Sequence, residues 1–234
     1  MKQVFTKVLL ASGLVMGLTA GAAQAQNATT PDIKRGETLF TQGDVQRGIL
    51  ACVACHGQAG TSAIAMYPHL AGMPAGYIVS QLKNFQVAEG ADRSARMNID
   101  GSPTAMAPIV AKMTEQDMND LAAYISKQKL SKPAFAQHAA DIEFVHRGRE
   151  IWRAGIPERH VPACASCHGA EGQGMPEQFP FLSGQHPEYI LSQLHSFAEG
   201  ARTHGGAENM MGTIANRMSN ADMKAVADYA AGIR

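Results

Sequence analysis

The sequence predicts an all-α protein built as two tandem domains, and three observations carry that reading. The chain of 234 residues is one unit written twice. Apolar residues recur at helical spacing in both copies, and no run of alternating β-branched and polar residues suggests a strand. A shift of 112 residues overlays the halves: Gly36 falls on Gly148, Phe40 on Trp152, and Cys52, Cys55, His56 and Gly57 on Cys164, Cys167, His168 and Gly169. Further on, Pro68, Leu70, Gly72, Tyr77, Gln81, Leu82 and Phe85 meet Pro180, Leu182, Gly184, Tyr189, Gln193, Leu194 and Phe197. The register then slips in a loop rich in Gly, Ala and Arg, and recovers at Met113, Asp117 and Tyr124 against Met218, Asp222 and Tyr229. Self-similarity of this extent means two copies of one domain.

The N-terminus reads as an export signal, residues 1–25. Lys2 and Lys7 precede an uncharged run over residues 8–20, and Ala23-Gln24-Ala25 has the small-x-small form of a cleavage site. The run is too short for a confident membrane span. The mature chain then starts at Gln26 and folds in the periplasm. Its first domain is predicted over residues 26–130, a linker around Pro133 over 131–140, and the second domain over 141–234. In each domain a short amphipathic helix comes first (33–40 and 142–152). A second helix follows a Pro tolerated in the first turn: Pro74 before Tyr77, Ile78, Leu82 and Phe85, and Pro187 before Tyr189, Ile190, Leu194 and Phe197. The last helices open with Thr114-x-x-Asp117 and Ser219-x-x-Asp222, which resemble capping boxes. Their apolar faces are Met118, Leu121, Ala122 and Ile125, and Met223, Val226, Ala227 and Ala230.

Formal net charge is zero. No basic cluster exists of the kind that phosphate neutralisation needs, so nucleic acid is not an expected partner. Residues 26–130 carry nine basic and nine acidic side chains, residues 141–234 eight and eleven. This modest acidic bias in the second half would orient docking through long-range steering.

All four cysteines fall in two motifs, Cys52-Val53-Ala54-Cys55-His56 and Cys164-Ala165-Ser166-Cys167-His168. In an exported protein two disulfides are the ordinary reading of four cysteines. This spacing instead reads as covalent haem attachment. Two thiols a short arc apart each add to one vinyl group of a haem, and the adjacent His lies under the ring as an iron ligand. A redox dithiol would sit in a βαβ setting, which is absent. Zinc needs four ligands, and two Cys with a directly adjacent His would strain to bind one ion. Two haem c groups, with their iron, are therefore the expected cofactors. Their propionates make the loaded protein more acidic.

A second axial ligand is Met, His or an open position. Among 13 Met, two pairs survive the overlay. Met113 and Met218 directly precede the capping residues, where core packing is the expected role. Met106 and Met211 lie in the loops before the last helices, where a side chain reaches back to iron. They are the expected partners of His56 and His168. Of the remaining histidines, His69, His138, His146, His160, His186, His195 and His204 are expected at the surface.

The chain resembles the dihaem cytochromes of the cytochrome c4 family. Beyond the haem motifs, the resemblance is carried by Pro68-x-Leu70-Ala71-Gly72 and Pro180-x-Leu182-x-Gly184-Gln185, and by Tyr77, Gln81-Leu82, Phe85 and Gly90 with Tyr189, Gln193-Leu194, Phe197 and Gly200-x-Arg202. It covers nearly all of the mature chain. It implies two class I cytochrome c domains, each with His/Met-ligated haem. It further implies that the Pro68 and Pro180 carbonyls accept a hydrogen bond from His56 and His168, and that Gly36 and Gly148 let the first helix of each domain cross the last closely. One departure is a longer stretch before each haem motif, residues 42–51 and 154–163.

The expected function is electron transfer, not catalysis: an electron carrier between a membrane complex or dehydrogenase and a terminal acceptor such as an oxidase. Redox proteins are the expected partners, without a small-molecule substrate, and peripheral association with a membrane is compatible with the sequence. One rival is an electron-transfer subunit of a periplasmic dehydrogenase. The other is a dihaem peroxidase-like enzyme, which needs an open iron position that Met106 and Met211 would close.

Overall fold

The computed structural model describes residues 30–203 and 209–233. The expected export signal and His204 lie outside them. Among the described residues ten α-helices fall into two sets of five that repeat one order: α1 (Ile33–Gln42), α2 (Val53–His56), α3 (Ala75–Phe85), α4 (Met106–Val110) and α5 (Glu115–Ser126), then α6 (Ile142–Ala154), α7 (Ala165–His168), α8 (Pro187–Ala198), α9 (Met210–Asn216) and α10 (Asn220–Gly232). Extended pairing among the described residues is limited to isolated bridges, so the all-α expectation holds. Among the described residues no helix is long and apolar enough to cross a membrane.

Local chemistry sets the helix starts. The Asp32 carboxylate accepts from the Lys34 and Arg35 amides at the head of α1, and Asp141 caps α6 through the Phe144 amide. Both expected capping boxes form, Thr114 with Asp117 on α5 and Ser219 with Asp222 on α10. Each satisfies amides that a helix end leaves without partners.

Each half has its own core. The first gathers Leu39, Phe40, Ile78, Val110, Met118, Leu121 and Ile125. The second gathers Ile151, Trp152, Ile190, Leu194, Phe197, Met223 and Val226. Met113 and Met218 are buried in these cores, as core packing required. Helix α1 crosses α5, and α6 crosses α10, with no room for a side chain at the crossing. A methyl group on Gly36 would fall 2.0 Å from the Asp120 carbonyl oxygen, and one on Gly148 2.3 Å from that of Ala225.

The longer stretch before each haem motif folds back through one bridge, Asp44 with Ile49 and Ile156 with Val161. It carries an arginine to the head of the last helix. Arg47 donates to Asp117 at 2.6 Å, and Arg159 donates to Asp222 at 2.5 Å. Arg35 and Arg147 reach the same carboxylates from the first helices. Asp117 is fully buried and Asp222 nearly so. Burial raises both carboxyls, but the arginines and the capping residues outweigh it and hold them well below the usual carboxylate range.

Residues 131–140 are tied along the second half. The Ala134 amide donates to the Gly184 carbonyl at 2.8 Å, and the Gln137 amide donates to the Asp228 carboxylate at 2.6 Å.

Candidate haem sites and the junction between them

Each site is built on a four-residue helix, α2 or α7, with the first Cys of the motif at its N-cap and the second Cys and the His as its last two residues. The turn places the two sulfurs and the imidazole on neighbouring positions of one short arc. The next residue leaves in the left-handed region, with φ of 73° at Gly57 and 81° at Gly169. A Cβ at Gly57 would lie 2.1 Å from the Thr61 carbonyl oxygen, so only glycine lets the chain turn away here.

His56 and His168 are buried. Their Nδ1 atoms donate to the Pro68 carbonyl at 3.0 Å and the Pro180 carbonyl at 3.2 Å. This is the geometry the resemblance implied. It fixes each ring and leaves Nε2 for a ligand, as second-shell bonds do at metal sites. Burial pushes both imidazoles down, against the raising effect of the proline carbonyls. They are therefore neutral, the form that binds metal.

No disulfide joins Cys52, Cys55, Cys164 and Cys167, and all four are partly recessed. Burial pushes Cys52 up to about 11 and Cys164 up to about 12. A redox dithiol needs the opposite shift, toward thiolate. Among the described residues no three His, Cys, Asp or Glu side chains gather as a cage for an ion. Two thiols and one oriented imidazole per site are the donor set for a covalently held haem, and the residues present fit it.

The structure places Met106 at the first position of α4 and Met211 at the second position of α9. Both expected ligands thus sit on short helices and not in loops. An Asn209 side chain that accepts from the Gly212 amide caps α9. Met106 packs on the same core as Cys52 and Val53, and Met211 on the same core as Cys164 and Ala165. Each expected Met thus borders the same core cluster as the first Cys of its own half.

The surface expectation holds for His138, His146 and His160, which are exposed. It fails for His69, which is 2% exposed. His69 lies at the junction of the halves, its ring stacked on His186 with centroids 4.1 Å apart. Gln185 from the second half brackets its backbone, accepting from the His69 amide and donating to its carbonyl, both at 2.9 Å. The Ser62 amide donates to His69 Nδ1 at 3.0 Å. Burial, then the His186 charge, pushes His69 down to about 4. The second half has Phe181 at the matching position, and that ring packs into the first half's core. A histidine read in isolation gave no sign of this. The signal was its place in a Pro-x-Leu segment that faces the other domain.

The junction holds a second feature that the sequence did not reveal. Arg96 pairs with Arg202 in an antiparallel bridge. Met97 donates to the Ala201 carbonyl and Thr203 to the Ala95 carbonyl, both at 2.8 Å. Arg96 stacks 4.2 Å over the Phe85 ring and Arg202 4.4 Å over Phe197. Phe85 and Phe197 are equivalent in the repeat. Arg96 therefore does in the first half what Arg202 does in the second, although it stands six residues past Gly90 and Arg202 only two past Gly200. The register slip concealed the pair.

Two helical domains that each hold a Cys-x-x-Cys-His turn, a proline-oriented imidazole and a Met on the adjoining core define a tandem c-type cytochrome. A family model described as cytochrome c matches residues 33–129 and again 145–232. Cytochrome c4 of Azotobacter vinelandii is 37% identical over 78% of this chain and 84% of its own. A protein of Stutzerimonas stutzeri named thiosulfate dehydrogenase electron acceptor is 33% identical over 92% of this chain and 93% of its own. The crystal structure of reduced cytochrome c4 from Pseudomonas stutzeri aligns with a TM-score of 0.73 at 30% identity, covering 87% of this chain and all of that one. The chain belongs to the cytochrome c family, among its dihaem cytochrome c4 members: a carrier of electrons with two covalently held haem c groups.

Proposed function

We propose that this chain works in the periplasm as a two-site relay between a donor dehydrogenase or membrane complex and a terminal acceptor such as an oxidase. Cys52, Cys55, Cys164 and Cys167 form the thioethers, and His56 with Met106 and His168 with Met211 supply the axial ligands. The observation that carries this reading is the matched geometry of the two halves: each imidazole is pinned by a proline carbonyl, and each Met is packed on the core of its own haem motif.

Bound haem supplies a reversible ferric–ferrous couple, and a thioether ligand beside His raises its potential. The chain's residues keep that couple free of other chemistry. Pinning the imidazole by the Pro68 and Pro180 carbonyls limits ligand motion between oxidation states. A Met106 or Met211 thioether bound to the iron would leave no open position for oxygen or peroxide, which argues against the peroxidase-like reading. A dehydrogenase as donor is supported by the relative named as a thiosulfate dehydrogenase electron acceptor. It makes oxidation of a reduced sulfur compound the first donor reaction to test.

The test is the haem-to-protein ratio of the mature protein by pyridine haemochrome, with ferric and ferrous spectra. Two low-spin haems with the far-red ferric band of sulfur ligation are expected. Met106→His and Met211→His should each remove one half of that band. A substitution that leaves the band whole would overturn the ligand for that half.

A further inference from the structure

The proline carbonyls that orient His56 and His168 belong to peptide groups that are bonded unequally. Around them the two halves agree: the Leu70 and Ala71 amides donate to the Gly60 carbonyl, and the Leu182 and Ser183 amides to the Gly172 carbonyl. The peptide joining Pro68 to His69 accepts from His56 Nδ1 at 3.0 Å through its oxygen. Its N–H, the His69 amide, donates to Gln185 Oε1 of the second half at 2.9 Å. The peptide joining Pro180 to Phe181 accepts from His168 Nδ1 at the longer distance of 3.2 Å. Among the described residues, its N–H donates to no carbonyl or side chain.

The difference traces to one position of the repeat. Gln185 stands in the second half where Met73 stands in the first, and both are buried. An amide oxygen is a strong acceptor and a thioether a weak one. Met73 lies in the first half's core, on which Phe181 packs, whereas Gln185 meets the His69 backbone. Three bonds fix how its amide lies: Oε1 accepts from the His69 amide at 2.9 Å and the His186 amide at 3.1 Å, and Nε2 donates to the His69 carbonyl at 2.9 Å. Turned over, the amide would set N–H against N–H. Gln185 and His69 are each 2% exposed, so water does not compete for these bonds.

Hydrogen bonds that run through one peptide strengthen each other, most of all away from water. An acceptor at the N–H pushes electron density onto the carbonyl oxygen of the same peptide. That oxygen then draws harder on the His56 Nδ1 proton, and the imidazole becomes a more basic ligand. A more basic ligand favours ferric iron. We infer that Gln185 tunes the axial ligand of the other half through the Pro68–His69 peptide, holding the first haem's ferric–ferrous equilibrium toward ferric. The inference rests on the two-haem reading with His56 as an iron ligand. Gln185 is a positioning residue that acts through the peptide. His168 has no such support, so the effect belongs to the first haem alone.

The test is a redox titration of haem-loaded Q185M, which keeps the side chain's length and removes the acceptor. Followed at the far-red sulfur band, M211H protein reports the first haem and M106H protein the second, so Q185M is compared with Gln185 in each background. Q185M should shift the first haem toward ferrous by about threefold, about 28 mV at 59 mV per tenfold for a one-electron couple, and leave the second unmoved. Q185E, which keeps an acceptor oxygen at the same reach, should abolish that shift. An unmoved first haem, an equal shift at both haems, or a shift that persists in Q185E would overturn the inference, the last two marking a loosened junction. Should Q185M fail to load haem, the ferrous wild type decides by nuclear magnetic resonance. The His56 ring N–H proton should resonate downfield of its His168 counterpart, and a His56 signal level with it or upfield would refute the tuning. Failure of the two-haem reading shows separately, as a haem ratio below two.

Discussion

Replacing Asp222 by Ala tests whether the buried carboxylate at the head of α10 is a structural anchor of the second half. Five hydrogen bonds converge on it: two from Arg147, one from Arg159, and two from the Ser219 amide and hydroxyl. Loss of the capping interaction costs about 1 kcal/mol. Breaking a fully buried pair costs about 3–5 kcal/mol, but Arg147 and Arg159 each keep a third of their side chain in water and rehydrate when released. Their contribution is therefore nearer 2 kcal/mol. The sum, about 3 kcal/mol, lowers the Tm of a chain this size by about 6–12 °C. Far-ultraviolet circular dichroism of the haem-loaded protein measures it, and Asp222→Asn, which keeps an acceptor for the cap, should lose less. The pH dependence gives a second reading. The folded carboxyl lies below its unfolded value, so its contribution is complete above about pH 4 and is lost as pH falls through the folded value. The gap between wild type and Asp222→Asn should narrow on acidification below about pH 4. A Tm within about 2 °C of wild type for the Ala variant, or a gap unchanged at about pH 2.5, would refute the reasoning.

Gly148→Ala places a methyl group 2.3 Å from the Ala225 carbonyl oxygen and 2.7 Å from Tyr229 Cβ. The α6–α10 crossing must open, at a cost of at least about 1–3 kcal/mol in a urea titration, whereas Ala at the exposed Arg149 should be silent. His69, held neutral down to about 4, makes wild-type stability fall as pH drops from about 6.5 to 4, by on the order of 2 kcal/mol, because the unfolded chain takes up the proton first. His69→Gln, which keeps an acceptor for the Ser62 amide, should show no such slope when unfolding is followed across that range.

The fold was legible because the repeat supplied two independent readings of every element. Phe40 and Trp152, or Thr114 and Ser219, confirm one another in a way that one copy does not allow. The haem motifs were legible because their spacing is set by covalent chemistry. The Met106 and Met211 helices escaped notice because five and seven residues carry too little periodicity. Arg35, Arg47, Arg147 and Arg159 were hidden for a different reason: an arginine that reaches a buried aspartate through space looks like any surface charge along the chain. Arg96 was hidden because equivalence in space there runs ahead of equivalence in sequence, across a loop four residues longer in the first half.

The backbone at the Arg96–Arg202 bridge has a consequence beyond the charges it carries. The bonds from Met97 to Ala201 and from Thr203 to Ala95 exchange places under a half-turn about the midpoint of the pair, as do Gln81 and Gln193 around the two guanidiniums. That is the self-complementary pattern of a two-fold homodimer, in which one patch meets a copy of itself. The tandem chain is therefore organised as a dimer whose protomers have been joined. The connecting segment makes their association intramolecular, at an effective concentration no pair of separate chains would match. Once joined, the copies were free to differ across the shared face, as they do where one has the stacked, buried His69 and the other the half-buried Phe181.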